Sequence, residues 1–598
     1  MNGRLTEGVD FYQNHGIMKN TILILLLLSG TSWSQVLPVE RKTDWSIAGI
    51  KEALTDYSLT IYFEEEGGIG DGVFSNSELI NTLISEHDGE TFELIFPAGT
   101  FFFDENIELP NNCRIAGKGA DSTILMFNLD GASTDLIDIT GTIDPIEIAL
   151  TEMVESGAYT CWVSDVSSFN VGDWVLISDN DSALVTSDWA IGKSGQILQI
   201  KAITGFELEF ESPFRRSYLS DNLPHLKEVY PRKNVTIEDL KVKRIDETVG
   251  QTVNISFNYA VNCAISCVES EYCNFSHVRF QYASNCEVKG SYFHNAYDFG
   301  GGGKAYGVVC QFATGEVLVT DNNFKDLRHA MLLQAGANGN VFSYNYSQDP
   351  YWTDVALPEN SAGDIVLHGN YVYSNLFEGN TCQNIVIDDS HGINGPYNTF
   401  FRNRAELYGI FMNAAPPSDR QNFIGNEITN EGFLLGLYVF AGGDHFFYGN
   451  NHKGEIKPAG TDDLNESSLY IETSPFYYEY YSNWPPIGYP NSMNEYDNEA
   501  FSNYHSGWEI QCQNTFEDIG IRENESGLTI FPNPSIGDLT IQSLGGDPLG
   551  LVEIIDITGR RVYSSIISEN ELVLNDLLPG IYFCYALNTS RLLTVVSH

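Results

Sequence analysis

Along most of this chain, apolar and polar residues alternate in short runs broken by Gly and Asn, and no helical spacing is sustained. That is the pattern of many short strands. Within it lies a repeat. The segments "LVTDNNF", "VFSYNYS", "LFEGNTC", "TFFRNRA", "FIGNEIT" and "FFYGNNH" share an apolar-x-x-Asn core ending at Asn322, Asn345, Asn380, Asn403, Asn426 and Asn450. The steps between these asparagines are 23, 35, 23, 23 and 24 residues, so the second carries an insertion of 35 − 23 = 12. A period near 23 built from short strands predicts a solenoid whose turns stack as parallel sheets. The spacing predicts asparagines at one corner, in left-handed backbone geometry, bonded from turn to turn as a ladder.

The pattern lapses in three places. From 143 to 218, "FNVGDWVLISD", "GQILQIKAI" and "FELEFESPFRRSY" predict a small inserted β-module. From Lys457 to Glu523 an aromatic, Pro- and Asn-rich stretch is expected to cover the C-terminal end of the solenoid, with a sugar-stacking platform as the alternative. At the start, "MKNTILILLLLSGTSWSQ" has signal-peptide anatomy over 18–34, with Lys19 before an apolar run and cleavage expected after Ser34. Residues Met1–Ile17 then read as upstream sequence. The expected order is signal peptide 18–34, cap and first coils 45–142, inserted module 143–218, solenoid with aromatic cap 219–512, linker 513–526 and a last domain 527–598.

Two stretches resemble known families. "GDGVFSNSELINTLISEHDGETFELIFPAGTFFF", followed by "NNCRIAGKGADSTIL", resembles the start of the pectate-lyase-like, rhamnogalacturonase and epimerase-type β-helix families. The resemblance implies an all-β, right-handed parallel β-helix whose open end is capped by a short helix. Ser75 or Asn76 is placed to cap it over Glu78–Glu86, and a strand is expected over Phe96–Phe101. It also implies a polysaccharide as partner, without choosing among lyases, hydrolases, epimerases and phage-tail depolymerases. At the other end, "LTIFPNPSIGDLTIQ", "LVEIIDITGRRVYSS" and "ELVLNDLLPGIYFCYAL" resemble the C-terminal sorting domain of type IX secretion cargo, a small β-sandwich. That resemblance implies the type IX machinery as partner and a secreted or cell-surface location. The tail "RLLTVVSH" lacks the basic finish often seen there.

Charge narrows the partners. The 598 residues carry 80 Asp and Glu against 31 Lys and Arg, a formal net charge of −49. Such a surface repels nucleic acid and anionic membranes, and neither is expected as a partner. Beyond the signal peptide no apolar run is long enough to span a membrane, and a monomer is expected. Any site for an anionic ligand must bring its own positive charge or a cation. Ten cysteines match no zinc spacing and read as small buried hydrophobes, with room for one or two bridges.

The repeat brings distant ionisable residues together. His368 lies twelve residues before Asn380 and His391 twelve before Asn403, so the two rings are expected to stack on adjacent coils. Asp389 shares a face with His391, Asp364 shares one with His368, and His329 falls in the column of Asp364. His329, Asp364, His368, Asp389 and His391 are therefore candidate catalytic residues. Met331, Leu333, Val366, Ile387, Ile410, Met412 and Ala414 in the same columns leave open an inward-facing, structural reading. The insertion before Asp364 offers Tyr351 and Trp352 to stack on a sugar, and Asp354 or Glu359 to bind Ca²⁺. Arg328 and Arg402 are candidate carboxylate binders, Arg404 is expected to neutralise neighbouring acids, and Gly300–Gly303 reads as a corner near the cleft. Three functions stay open. The first is β-elimination on a uronate-containing chain, with Arg328 or a cation on the carboxylate and His368 or His391 as base. The second is hydrolysis by Asp364 and Asp389. The third is non-catalytic glycan binding.

Overall fold

The computed structural model describes residues 36–51, 56–353, 361–413, 416–475, 484–488, 497–507, 510 and most of 528–595. The expected signal peptide, Asp354, Glu359, Ala414, the expected linker and Pro532–Pro534 lie outside the described residues.

The chain winds into a parallel β-helix. Each coil contributes a strand to three ladders. The first holds Tyr306–Gln311, His329–Leu333, Ile365–Leu367 and the later halves of Thr381–Ile387 and Arg404–Met412. The second holds Leu318–Thr320, Val341–Ser343, Leu376–Glu378, Thr399–Phe401 and Asn422–Ile424. The third holds Asn323–Lys325, Tyr346–Gln348 and the opening residues Thr381 and Arg404. Inside runs one continuous apolar core. The apolar residue of each repeat stacks on the next: Phe342, Phe377, Phe400, Phe423 and Phe447 lie with ring centroids 5.5, 5.0, 5.2 and 5.5 Å apart. Each fully buried ring of this kind contributes about 1.5–3 kcal/mol relative to exposure.

The asparagines form the expected ladder, but not in the expected backbone state. Asn322, Asn345, Asn380, Asn403, Asn426 and Asn450 are buried, and each side-chain amide donates to the next side-chain carbonyl at 2.8–3.0 Å. The positive φ belongs to the residue before each one: Asp321, Tyr344, Gly379, Arg402, Gly425 and Gly449. That left-handed step turns the corner and aims the following side chain inward, where it satisfies buried backbone carbonyls and amides. A second ladder, Asn340, Asn375, Asn398 and Gln421, repeats the device after Gly339, Ser374, Tyr397 and Arg420.

The opening helix spans Ser77–Glu86 and buries Ile80, Leu83 and Ile84. Asn76 occupies its N-cap without a side-chain bond to the helix; its side chain instead ties Ile69, Phe74 and Phe102 together. The strand expected over Phe96–Phe101 divides into Phe92–Ile95 and Gly99–Phe103, with the bend between them.

Strands between Thr142 and Tyr230 form a seven-stranded antiparallel sheet with its own core, the inserted module. Fully buried Arg215 fastens it to the solenoid through Glu316 (2.6 Å) and Asn338 (3.1 Å). The aromatic stretch does not sit on the solenoid's end where it is described. Leu464, Tyr470 and Trp484 pack along the outer face of the second ladder beside Leu37 and Trp45, and the helix Glu499–His505 lays Phe501 and Tyr504 on Tyr346 of the third. Two faces are thus covered by flanking segments. The N-terminal strap runs lengthwise: Val36 bonds Glu466, Arg41 bonds Asp444 and Asn422, Trp45 bonds the Ser374 carbonyl, and Lys51 bonds Asn262.

Among the described residues eight cysteines are free and buried, and Cys267 is disulfide-bonded. The last domain is a three-stranded and a four-stranded antiparallel sheet around Ile541, Leu549, Val552, Ile554 and Tyr582, a small β-sandwich.

Candidate functional site

The outer face of the first ladder carries the chemistry. Met331, Leu333, Ile365, Leu367, Ile385, Ile387, Ile410 and Met412 point into the core, so alternation sends His368 outward. His329 joins it by a local irregularity. The amides of Arg328 and His329 both reach the Ala305 carbonyl, at 2.7 and 3.3 Å, and Ala330 rather than His329 enters the core. The His329 ring stacks on Tyr306 at 5.2 Å and meets His368 edge-on at 6.0 Å.

His368 and His391 stack, with centroids 4.4 Å apart and planes 14° from parallel. The coil spacing is not what brings them together. Leu367 pairs with Ile387, so the position across from His368 is Asp388, and His391 comes back over His368 through the turn that follows. That turn is fastened by the inserted module: Ser187 Oγ donates to the His391 carbonyl at 3.1 Å, and the amides of Thr186 and Ser187 donate to Asn370. Nothing in the sequence points to this help from two hundred residues away.

Asp388, not Asp389, belongs to the cluster. Its Oδ2 lies 3.9 Å from His368 Nε2. Asp389 faces the other way and is consumed, accepting from Asn394 N and Nδ2 and from Ser418 N and Oγ. Asp364 is likewise internal. It accepts from Ser347 Oγ (2.6 Å) and the amides of Gln383 and Asn384. His329 pairs with the Gly363 carbonyl, not with Asp364, because the strand register across the insertion is 34 residues, Met331 to Ile365, instead of 35.

Arg328 is 7% exposed, lies 4.6 Å over the Trp352 ring and donates to the Gly300 carbonyl. Arg328 Nε, Trp352 Nε1 and His368 Nδ1 are buried without hydrogen-bond partners. Buried polar atoms left unmet cost about 1–3 kcal/mol each, and three in one cluster mark a place built for something else. Tyr351 packs edge-on against Phe299. Arg402 is not available to substrate: its guanidinium holds the carbonyls of Glu466 and Gly488. Arg404 pairs with Glu427 and Asp497, neutralising acids as expected.

Burial sets the protonation states. It brings His368 down to about 4, partly opposed by Asp388. Burial, with Arg328 and His368 alongside, holds His329 well below the ordinary range. Burial pushes Asp388 up, yet His368, Ser390 and Asn413 together bring it below the usual carboxylate value. At neutral pH the cluster is thus two uncharged buried imidazoles, a carboxylate and a guanidinium. His329 Nδ1 bonds a carbonyl, so it carries the proton and leaves Nε2 with the free lone pair.

Asp364 gives a clean test of which acids matter. Burial outweighs its three hydrogen bonds and raises it to about 7. A folded-state value above the unfolded one contributes stability that is full below about pH 4 and lost as pH rises through 7. Asp364→Asn keeps the hydrogen-bonding shape. Denaturation midpoints measured across this window should lose that component of their pH dependence, and turnover should stay within about twofold of wild type. A turnover loss of two orders of magnitude would return Asp364 to the site.

Residues 529–595 match the family described as the secretion system C-terminal sorting domain, so the chain carries an export address and is a secreted or cell-surface protein. Among the described residues no helix is long and apolar enough to cross a membrane. No curated protein matches the chain. Among solved structures it is similar to the tailspike protein gp49 from Pseudomonas phage LKA1, at 14% identity and a TM-score of 0.49, over 62% of this chain and 64% of that one. The Azotobacter vinelandii mannuronan C-5 epimerase AlgE4 A-module is similar at 14% identity and a TM-score of 0.30, over 65% and 90%. An exopolygalacturonase from Thermotoga maritima follows at 12% and 0.29, over 63% and 74%. The chain therefore spans just under two thirds of the LKA1 tailspike.

Proposed function

We propose that this is a secreted, glycan-active protein that cleaves a uronate-containing polysaccharide by β-elimination on the outer face of the first ladder. One observation carries the reading: a guanidinium with an unmet donor, Arg328, adjoins an imidazole of fixed tautomer, His329, against a background charge of −49. Arg328 neutralises the uronate carboxylate, which acidifies the C5 hydrogen. His329 Nε2 takes that proton. The C5–H electron pair becomes the C4–C5 double bond, the C4–O bond breaks, and the departing oxygen takes a proton from solvent. A base held as low as His329 accepts only an activated proton, so the two halves depend on each other. This moves the base from the expected His368 or His391 to His329.

Hydrolysis by paired carboxylates is the weaker reading, because Asp364 and Asp389 are each spent on internal hydrogen bonds. The test is the secreted chain incubated with a panel of acidic and neutral polysaccharides. New ultraviolet absorbance from unsaturated ends, matched by new reducing ends, is the expected result on an acidic glycan. Reducing ends without that absorbance point to hydrolysis, and retention without cleavage to a binding protein. Either outcome overturns the proposal.

A further inference from the structure

Proton transfer at His329 leaves three potential ligands at the mouth of the site without a task. His368, Asp388 and His391 each place one ligand atom within 4.8 Å of the other two. They grade from buried through half-buried to exposed, so the group is reached from solvent on the His391 side. His368 is 7% exposed, its Nδ1 has no partner, and its Nε2 stands 3.9 Å from Asp388, beyond hydrogen-bond range. A buried imidazole unsatisfied by protein, facing a carboxylate and a second imidazole, is the signature of a missing ligand rather than of packing.

We infer that His368, Asp388 and His391 form a site for one divalent transition-metal ion of the Zn²⁺ class. The donor set selects the class. Two neutral imidazoles and one carboxylate suit zinc and its neighbours, whereas Ca²⁺ takes six to eight oxygens and Mg²⁺ an octahedron of them. Three protein ligands leave a coordination position open. The two rings stack 14° from parallel with centroids 4.4 Å apart, so binding requires the exposed His391 ring to rotate and the three atoms to close in. Its backbone stays put, because Ser187 holds the His391 carbonyl. In the reaction proposed above the open position receives the uronate carboxylate beside Arg328; that role rests on that reading, while the binding does not.

The test uses the full secreted chain, stripped with a chelator and dialysed against Zn²⁺ or Co²⁺ in excess Ca²⁺ and Mg²⁺. Metal analysis should find about one ion per chain, and Co²⁺ should give d–d absorption of low-coordinate character. His391→Ala, at an exposed position, and Asp388→Asn should each weaken affinity by more than the ~10–100-fold that loss of an outer partner costs. No retained ion, an ion displaced by Ca²⁺, or affinity unchanged in both variants would overturn the site. Turnover is read separately on stripped and loaded protein. A site that binds while turnover ignores the ion stands as a metal site and loses only its part in the reaction.

Discussion

His329→Gln is expected to abolish cleavage of an acidic glycan, lowering kcat by about 10²–10⁴-fold, the usual worth of a positioned base. Glutamine still reaches the Gly363 carbonyl and fills most of the space against Tyr306, so the variant loses the Nε2 lone pair and little else. Far-ultraviolet circular dichroism and the melting midpoint should match the wild type. The companion variant Arg328→Gln should raise KM as well as lower kcat, because the guanidinium binds the carboxylate before it activates the proton. Full activity in His329→Gln would remove the base assignment, and would do so whatever the metal content.

The largest effect on stability is expected from Arg215→Met. Its side chain is 0% exposed and its partner Glu316 2%. Removing one member of such a pair leaves a carboxylate buried alone, which costs about 3–5 kcal/mol. Arg215 is also the charged link between the inserted module and the coils at Glu316 and Asn338. Urea unfolding should shift to lower concentration, and limited proteolysis should release fragments cut near the module. Adding Glu316→Gln should restore a large part of the loss, since the isolated charge is then gone. A single variant as stable as wild type would mean that the pair does not carry the junction.

The solenoid was legible because its period is enforced by chemistry repeated at every coil. Each Asn must sit where its amide reaches the next, and each Phe where its ring covers the next, so the spacing survives in the sequence. The candidate site was legible only in outline. Arithmetic from asparagine to asparagine assumes that every segment of a coil keeps its length. The first ladder does not obey: Leu367 pairs with Ile387 after 20 residues, and Ile387 with Met412 after 25. These differences cancel before the next Asn, so the anchors stay regular while the face between them slips. Hence Asp388 rather than Asp389 stands across from His368, while the 34-residue register from Met331 to Ile365 sets His329 against Gly363 rather than Asp364. The stacking of His368 on His391 came out as expected from a spacing that does not produce it. Arg402 misled for another reason. It follows the corner rule, occupying the left-handed position before Asn403, and that corner aims it at the carbonyls of Glu466 and Gly488.

The lengthwise strap of residues 36–51 changes how this solenoid comes apart. A stack of coils that touch only their neighbours frays from either tip, a coil at a time. Here the earliest-made described segment is seated on coils near Asn422 and Asp444 and against Glu466 of the flanking stretch, all of which emerge hundreds of residues later. It also grips Asn262 much nearer the beginning. Its seat does not exist until most of the spiral has been wound, so the belt is fastened last. Once fastened, it couples loosening at one tip to loosening at the other, and the molecule should resist stepwise unzipping and yield as a unit.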